Sequence, residues 1–445
     1  MDIPHTSRRF LLAMWEGGGT LPPELGLARI LLARGHDVHV LADPTVEDDA
    51  LAAGCVFHPW RRAPHRTTLD PAEDLLRDWE VTSPLAMLAR IRDTFVAGPA
   101  SDYAADTAET LRATDADAVL VDFMLFGAVI GAQGQGVPVA PVVPNIWSIP
   151  TPGGPAIGPG FPKATTRFGR LRDAAMLRLA DRMFAPGIPA LDAARRQHGL
   201  APLASFYDQV LQTDRIFVLS SPTFDYASDV VPDHVRYLGP ITDDPSWVEE
   251  EAAPLWTEDQ EGPFVLVAFS STFQDQAPVL RRVVEALTTL QVRAVVTLGQ
   301  MLDPADVHGT ANVVVVPSAP HGPLLERADL VVTHCGHGTT LKALGAGVPL
   351  VCIPMGRDQN DTAARVVHHG AGVRIGPKAR TSRIRRAVQR VLGDPRFTTA
   401  AGRLATAITE ERQQIDIAGE LEAFVRSDRS GRPHGATHPT RRMMS

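Results

Sequence analysis

Short apolar runs, each closed by glycine, proline or a polar turn, recur along this chain with helical patterns between them. Residues 10–15 read as a buried strand followed by a glycine turn. Residues 23–34 read as a helix with Leu25, Ala28, Ile30, Leu31 and Leu32 apolar, and 38–41 as the next strand after Gly35. Residues 118–121, ending at Asp122, and 137–143 continue the series. The rhythm restarts after Pro263 with a strand at 264–269, a Ser/Thr turn and a helix from about residue 278. Strands follow at 294–298, 313–316, 330–333 and 350–353. Runs that are apolar throughout suit strands covered on both faces, as parallel sheets flanked by helices provide. The chain is therefore predicted to be α/β, with two Rossmann-like doubly wound parallel-sheet domains in tandem.

The stretch after Gly239 is rich in Pro, Asp, Glu and Trp without periodicity, so the boundaries are placed at 1–238, an interdomain linker 239–263, a second domain 264–426 and a disordered tail 427–445. A net charge of −8 offers no general attraction to phosphate backbones or anionic lipid, which excludes nucleic acid as an expected partner. No run approaches the ~20 apolar residues of a membrane helix. The cysteines, Cys55, Cys335 and Cys352, are far apart and odd in number, which favours a reducing cytoplasm over a disulfide framework.

The motif with the most chemistry is THCGHGTT, residues 333–340. It closes a strand of the second domain, so it lies at the carboxyl end of a parallel sheet, where ligands of such folds bind. Gly336 and Gly338 permit close backbone approach, and the helix that follows offers unpaired N–H groups and a positive dipole end to an anion. His334, Thr339 and Thr340 add side-chain donors, a set suited to a diphosphate. Asp358 and Gln359 close the neighbouring strand with a carboxylate and an amide suited to sugar hydroxyls. His334, Cys335 and His337 lack a second cluster with metal-ligand spacing, so no metal site is expected.

The stretch THCGHGTTLKALGAGVPLVCIPMGRDQ resembles the nucleotide-sugar signature of the inverting glycosyltransferases of family 1, the GT-B superfamily of UDP-glycosyltransferases and antibiotic glycosyltransferases. The resemblance implies two domains facing across a cleft, and His334, Gly338 and Thr339 on the diphosphate, with Gly336 also in the donor-binding set. It implies Asp358 and Gln359 on the donor sugar, Ser318 and Ala319 beside the base, and Ser271 and Thr272 in a phosphate-contacting turn. A nucleotide-sugar is then the co-substrate, with no other cofactor, and the acceptor is an apolar small molecule bound by a monomer or homodimer. One departure is Lys342, where the family often has a glutamate for the ribose hydroxyls.

The opening of the chain is similar to the family's glycine turn and R-G-H pattern, and places Thr20 where the catalytic histidine usually stands. A threonine hydroxyl is too weak a base to take the acceptor's proton at neutral pH. Asp122, at the position of the family's histidine-orienting aspartate, is the first candidate and Glu16 the second. Asp122 has an alternative reading as the cap of a helix beginning near Met124. Trp79, Met87, Met124, Phe126 and Trp147 are expected to build the apolar acceptor cleft, with Phe161 a further aromatic in the same half. Two other functions are weighed. A GT-B protein that binds or epimerises a nucleotide-sugar without transferring it is favoured by Thr20 and Lys342. A dinucleotide-dependent oxidoreductase is suggested by Gly17, Gly18, Gly19 and Asp43, but Pro22 and Pro23 occupy the place of the fingerprint's third glycine.

Overall fold

The computed structural model describes residues 7–81, 83–226, 231–243, 248, 261–270 and 272–428. Most of the expected linker and of the expected tail lie outside them.

Two parallel sheets organise the chain. The first has seven strands in the order β3-β2-β1-β4-β5-β6-β7: β1 Arg9–Ala13, β2 Asp37–Ala42, β3 Val56–Pro59, β4 Ala118–Asp122, β5 Val139–Val143, β6 Ile216–Val218 and β7 Val235–Tyr237. The second has six in the order β10-β9-β8-β11-β12-β13: β8 Phe264–Ala268, β9 Arg293–Thr297, β10 Val313–Val316, β11 Leu330–Thr333, β12 Leu350–Cys352 and β13 Gly372–Arg374. In each sheet the strand order reverses once, between β1 and β4 and between β8 and β11. These switch points are where loops diverge and leave a crevice.

The continuous apolar runs arise because both faces of each sheet are covered. Along β1, Leu11 and Ala13 enter one core layer and Phe10 and Leu12 the opposite one. Along β8, Val265 and Val267 face one layer, and Phe264, Leu266 and Ala268 the other. The strands that the apolar pattern does not announce are β3, β6, β7 and β13. Each is short, and β3 and β13 are edge strands with residues open to solvent.

The helix after β1 runs over Leu21–Ala33, so Pro22 and Pro23 lie in its first turn, where no intrahelical N–H bond is lost. The last helix, Ile417–Asp428, differs from the sequence-based division at 426. Leu421, Phe424 and Val425 pack with Leu27, Ala28 and Phe217 of the first domain, and Glu422 meets Arg34 and His36, each at 3.2 Å. Its periodicity marks an apolar face but cannot say which domain supplies the partner. Ile146 and Phe224 of the first domain likewise complete a core layer of the second.

Candidate active site

The residues named from the second domain gather at the carboxyl ends of β8, β10, β11 and β12. His334 follows β11, is buried, and lies with Nδ1 3.3 Å from Thr333 Oγ1. Burial pushes its imidazole down to about 4, against support from the Ala268 carbonyl, so the ring is neutral at pH 7. The left-handed residue of this turn is Cys335, at φ 72°, and neither glycine takes that role. Gly336 serves the histidine: a Cβ there would lie 2.4 Å from His334 Nε2. A Cβ on Gly338 would meet nothing within 4 Å, so the space over the start of the helix His337–Gly345 is open. Thr339 is half-buried in its first turn. Thr340, expected to offer a hydroxyl to the ligand, is instead fully buried with Oγ1 against Cys335 Sγ.

Thr272 is buried, its Oγ1 2.9 Å from Ser270 Oγ and accepting from Arg357 Nη1 at 3.0 Å. Ser271 lies outside the described residues. Arg357 also donates through Nε to Asp78 Oδ2 at 2.8 Å, which ties the phosphate-type turn to the first domain. Gln359 is buried with its amide engaged: Oε1 accepts from the N–H groups of Met355 and Gly356, and Nε2 donates to Gln274. It shapes the loop that presents Asp358, whose carboxyl burial raises above the usual range while Arg357, Arg365 and the Asn145 side chain oppose that rise. Ser318 is half-buried and Ala319 buried between β10 and the short helix His321–Leu325.

In the first domain, Glu16 and Thr20 follow β1 and Asp122 ends β4, at the switch point. Asp122 is 1% exposed and Oδ1 accepts the Met124 N–H at 2.8 Å. The helix itself starts later, at Phe126, so this bond closes a local turn and does not cap the helix. Burial raises the Asp122 carboxyl to about 6. Glu16 is raised to about 7, mainly by burial, and accepts the Gly18 N–H through Oε1 at 2.9 Å. It lines a cleft of about 420 Å³ with Arg66 from its own domain and Thr272, Gln300 and Met301 from the other. Asp43 receives the Glu16 and Arg66 N–H groups, which occupies the carboxylate a dinucleotide's ribose would need.

The aromatic set separates. Trp79 stands edge-on to Phe273 of the second domain, with centroids 5.0 Å apart. Met87 and Met124 are partly buried against the first core. Phe126 and Trp147, expected to line the acceptor cleft, are core residues. Phe126 packs on Phe206 at 5.2 Å, and Trp147 donates from Nε1 to Thr151 Oγ1. Phe161 carries Arg172 over its ring. Two site residues are absent from the sequence-based reading, Arg357 and Glu24. Glu24 follows Thr20 by one helical turn, and its position in an otherwise apolar stretch was the available signal.

Residues 281–424 match the family described as erythromycin biosynthesis protein CIII-like, C-terminal domain. The chain is 29% identical over 422 residues to 4'-demethylrebeccamycin synthase of Lentzea aerocolonigenes, covering 94% of this chain and 99% of that one. The chain has the GT-B fold of the antibiotic glycosyltransferases. It is also similar to demethyllactenocin mycarosyltransferase of Streptomyces fradiae, 25% identical with 92% of this chain and 84% of that one covered. The solved glycotransferase of kitacinnamycin shares this chain's fold, with a TM-score of 0.72 at 23% identity over 94% of this chain and 99% of that one.

Proposed function

We propose that this chain is a family 1 glycosyltransferase that moves a hexose from a nucleoside-diphosphate sugar to a hydroxyl of an apolar small molecule, with inversion and without a metal. The observation that carries the reading is the cleft of about 420 Å³ that Glu16 of the first domain and Thr272 of the second both line; an open helix start follows His334 at the end of β11, and the buried Asp122 carboxyl ends β4. The donor's diphosphate takes hydrogen bonds from the Gly338–Thr339 end of the helix His337–Gly345, from Thr272 and from His334, with the helix dipole favouring its charge. These groups strengthen their hold as the leaving diphosphate gains charge, which is the work a divalent cation does elsewhere. Asp358 orients the sugar, and Asp122 takes the acceptor's proton in place of the histidine that Thr20 replaces.

Asp122→Asn keeps the shape and removes the proton acceptor, so turnover falls by roughly a hundredfold or more with donor affinity retained. The loss is larger for an alkyl alcohol than for a phenol, whose more acidic hydroxyl asks less of the base. Product NMR and turnover in EDTA complete the test: retained anomeric configuration removes the single-displacement mechanism, and loss of turnover with chelator removes metal independence.

A further inference from the structure

Asp122 does not stand alone. Glu24, 3% exposed in the first turn of Leu21–Ala33, shares a cavity of about 10 Å³ with it, closed by Leu12, Ala13, Met14, Leu27, Leu120 and Val142. That is about the size of one water molecule. Glu24 Oε2 and Asp122 Oδ2 are both buried and neither has a hydrogen-bond partner among the described residues while both are ionised. Two like charges in an apolar enclosure are costly, and a proton on one carboxyl converts repulsion into a strong charge-assisted hydrogen bond. The titration directions agree on which one holds it. Burial and the Asp122 charge drive Glu24 well above the usual carboxylate range, whereas Glu24 favours the charged form of Asp122.

We propose that Glu24 is a positioning residue for the transfer step: as a neutral acid it donates to Asp122 and holds that carboxylate ionised, ready for the acceptor's proton. This rests on the reading of Asp122 as the base. The other groups facing Asp122 are the Met124 N–H, the Trp15 indole, whose N–H lies outside good hydrogen-bond geometry, and, from the helix Ala100–Thr114, Tyr103, whose hydroxyl donates to the Pro64 carbonyl. Thr20 and Glu24 are four residues apart and so share a helix face. Thr20 Oγ1 and the Trp15 ring both crowd Gly17, which places the hydroxyl beside the same group of side chains. In the step, the acceptor O–H breaks and its proton passes to Asp122. The acceptor oxygen bonds the anomeric carbon, and the bond to the diphosphate breaks with its electron pair leaving on the diphosphate oxygen. The two carboxyls then carry two protons and release one to solvent.

Glu24→Leu removes the donor, so the acid limb of the kcat/KM profile moves up by about one pH unit. Turnover drops by about twofold near pH 7 and by about tenfold near pH 5, and recovers at alkaline pH. Glu24→Gln retains a donor in its amide and returns the limb close to its wild-type position. Infrared difference spectra at mildly alkaline pH show the C=O stretch of a protonated carboxyl that is lost in Glu24→Gln. An unmoved limb in folded Glu24→Leu, or no such band in the wild type, overturns the role of Glu24. Full turnover in Asp122→Asn overturns the base reading beneath it, and the two failures are separable.

Discussion

Arg365 Nε donates to Asp225 Oδ1 at 2.7 Å between the two domains, with the side chains 3% and 1% exposed. Asp225 also accepts the N–H of Trp147 and the hydroxyl of Tyr237, and the guanidinium lies 4.3 Å over the Tyr226 ring. Removing one member strands a buried charge, so Asp225→Ala and Arg365→Met each cost about 3–5 kcal/mol. Asp225→Leu combined with Arg365→Met costs less than the sum of the two single changes. Urea unfolding of the three variants measures it, and additive losses would show that the pair is not coupled.

The two glycines of THCGHGTT separate by experiment. Gly336→Ala drives a methyl into the His334 ring, so nucleotide affinity falls as it does in His334→Ala, and stability falls with it. Gly338→Ala meets no protein atom and leaves the melting temperature of the free enzyme within a degree or two, a change of less than ~0.5 kcal/mol. Nucleotide affinity is nonetheless reduced, because the methyl enters the space read as the ligand's. Thermal shift with and without nucleoside diphosphate distinguishes them.

His334 and His337 are both depressed to about 4 by burial, and His337 Nε2 lies 3.0 Å from Ser220 Oγ of the first domain. A histidine whose folded value lies below its unfolded one contributes stability that is full above about 6.5 and is lost as pH falls toward 4. Melting temperature therefore declines over that window. His337→Asn, which cannot take up a proton, flattens the decline, and an unchanged slope would contradict the assignment.

Glu16 runs the opposite way. Its carboxyl is raised to about 7, so its favourable contribution is full below the ordinary carboxylate value and is lost as pH rises through 7. Glu16→Gln keeps an acceptor for the Gly18 N–H. It gains on the order of 1 kcal/mol over wild type at about pH 8 and nothing near pH 4, as read by urea unfolding at both.

The strands of the second domain are legible because 264–268, 294–296 and 330–332 are buried on both faces and hence apolar along their length, and 313–316 is four valines although its edge position leaves three of them half-buried. THCGHGTT was legible as a strand-to-helix turn, since glycine content and position carry that signal. The identity of the left-handed residue is not legible, because cysteine has no preference for that region and Cys335 adopts it beside two glycines. Phe126 and Trp147 are expected in a cleft and lie in the core for a related reason. An aromatic residue near a loop looks the same in sequence whether it lines a cleft or fills a core, and only the partners Phe206 and Thr151 decide. Glu24 carries little signal in the sequence because a single acid in a helix ordinarily faces water, and the cavity it shares with Asp122 joins residues far apart in the chain.

The helix Ile417–Asp428 puts a time order on folding. Its Leu421, Phe424 and Val425 belong to a core layer whose other members, Phe10, Leu27 and Phe217 among them, emerge from the ribosome long before. During synthesis the second domain can close its own sheet first, while the earlier-made half waits with an apolar groove uncovered. A nascent or truncated chain that stops short of this helix exposes that groove, and the natural place to look for aggregation or chaperone capture is the outer face of Leu21–Ala33.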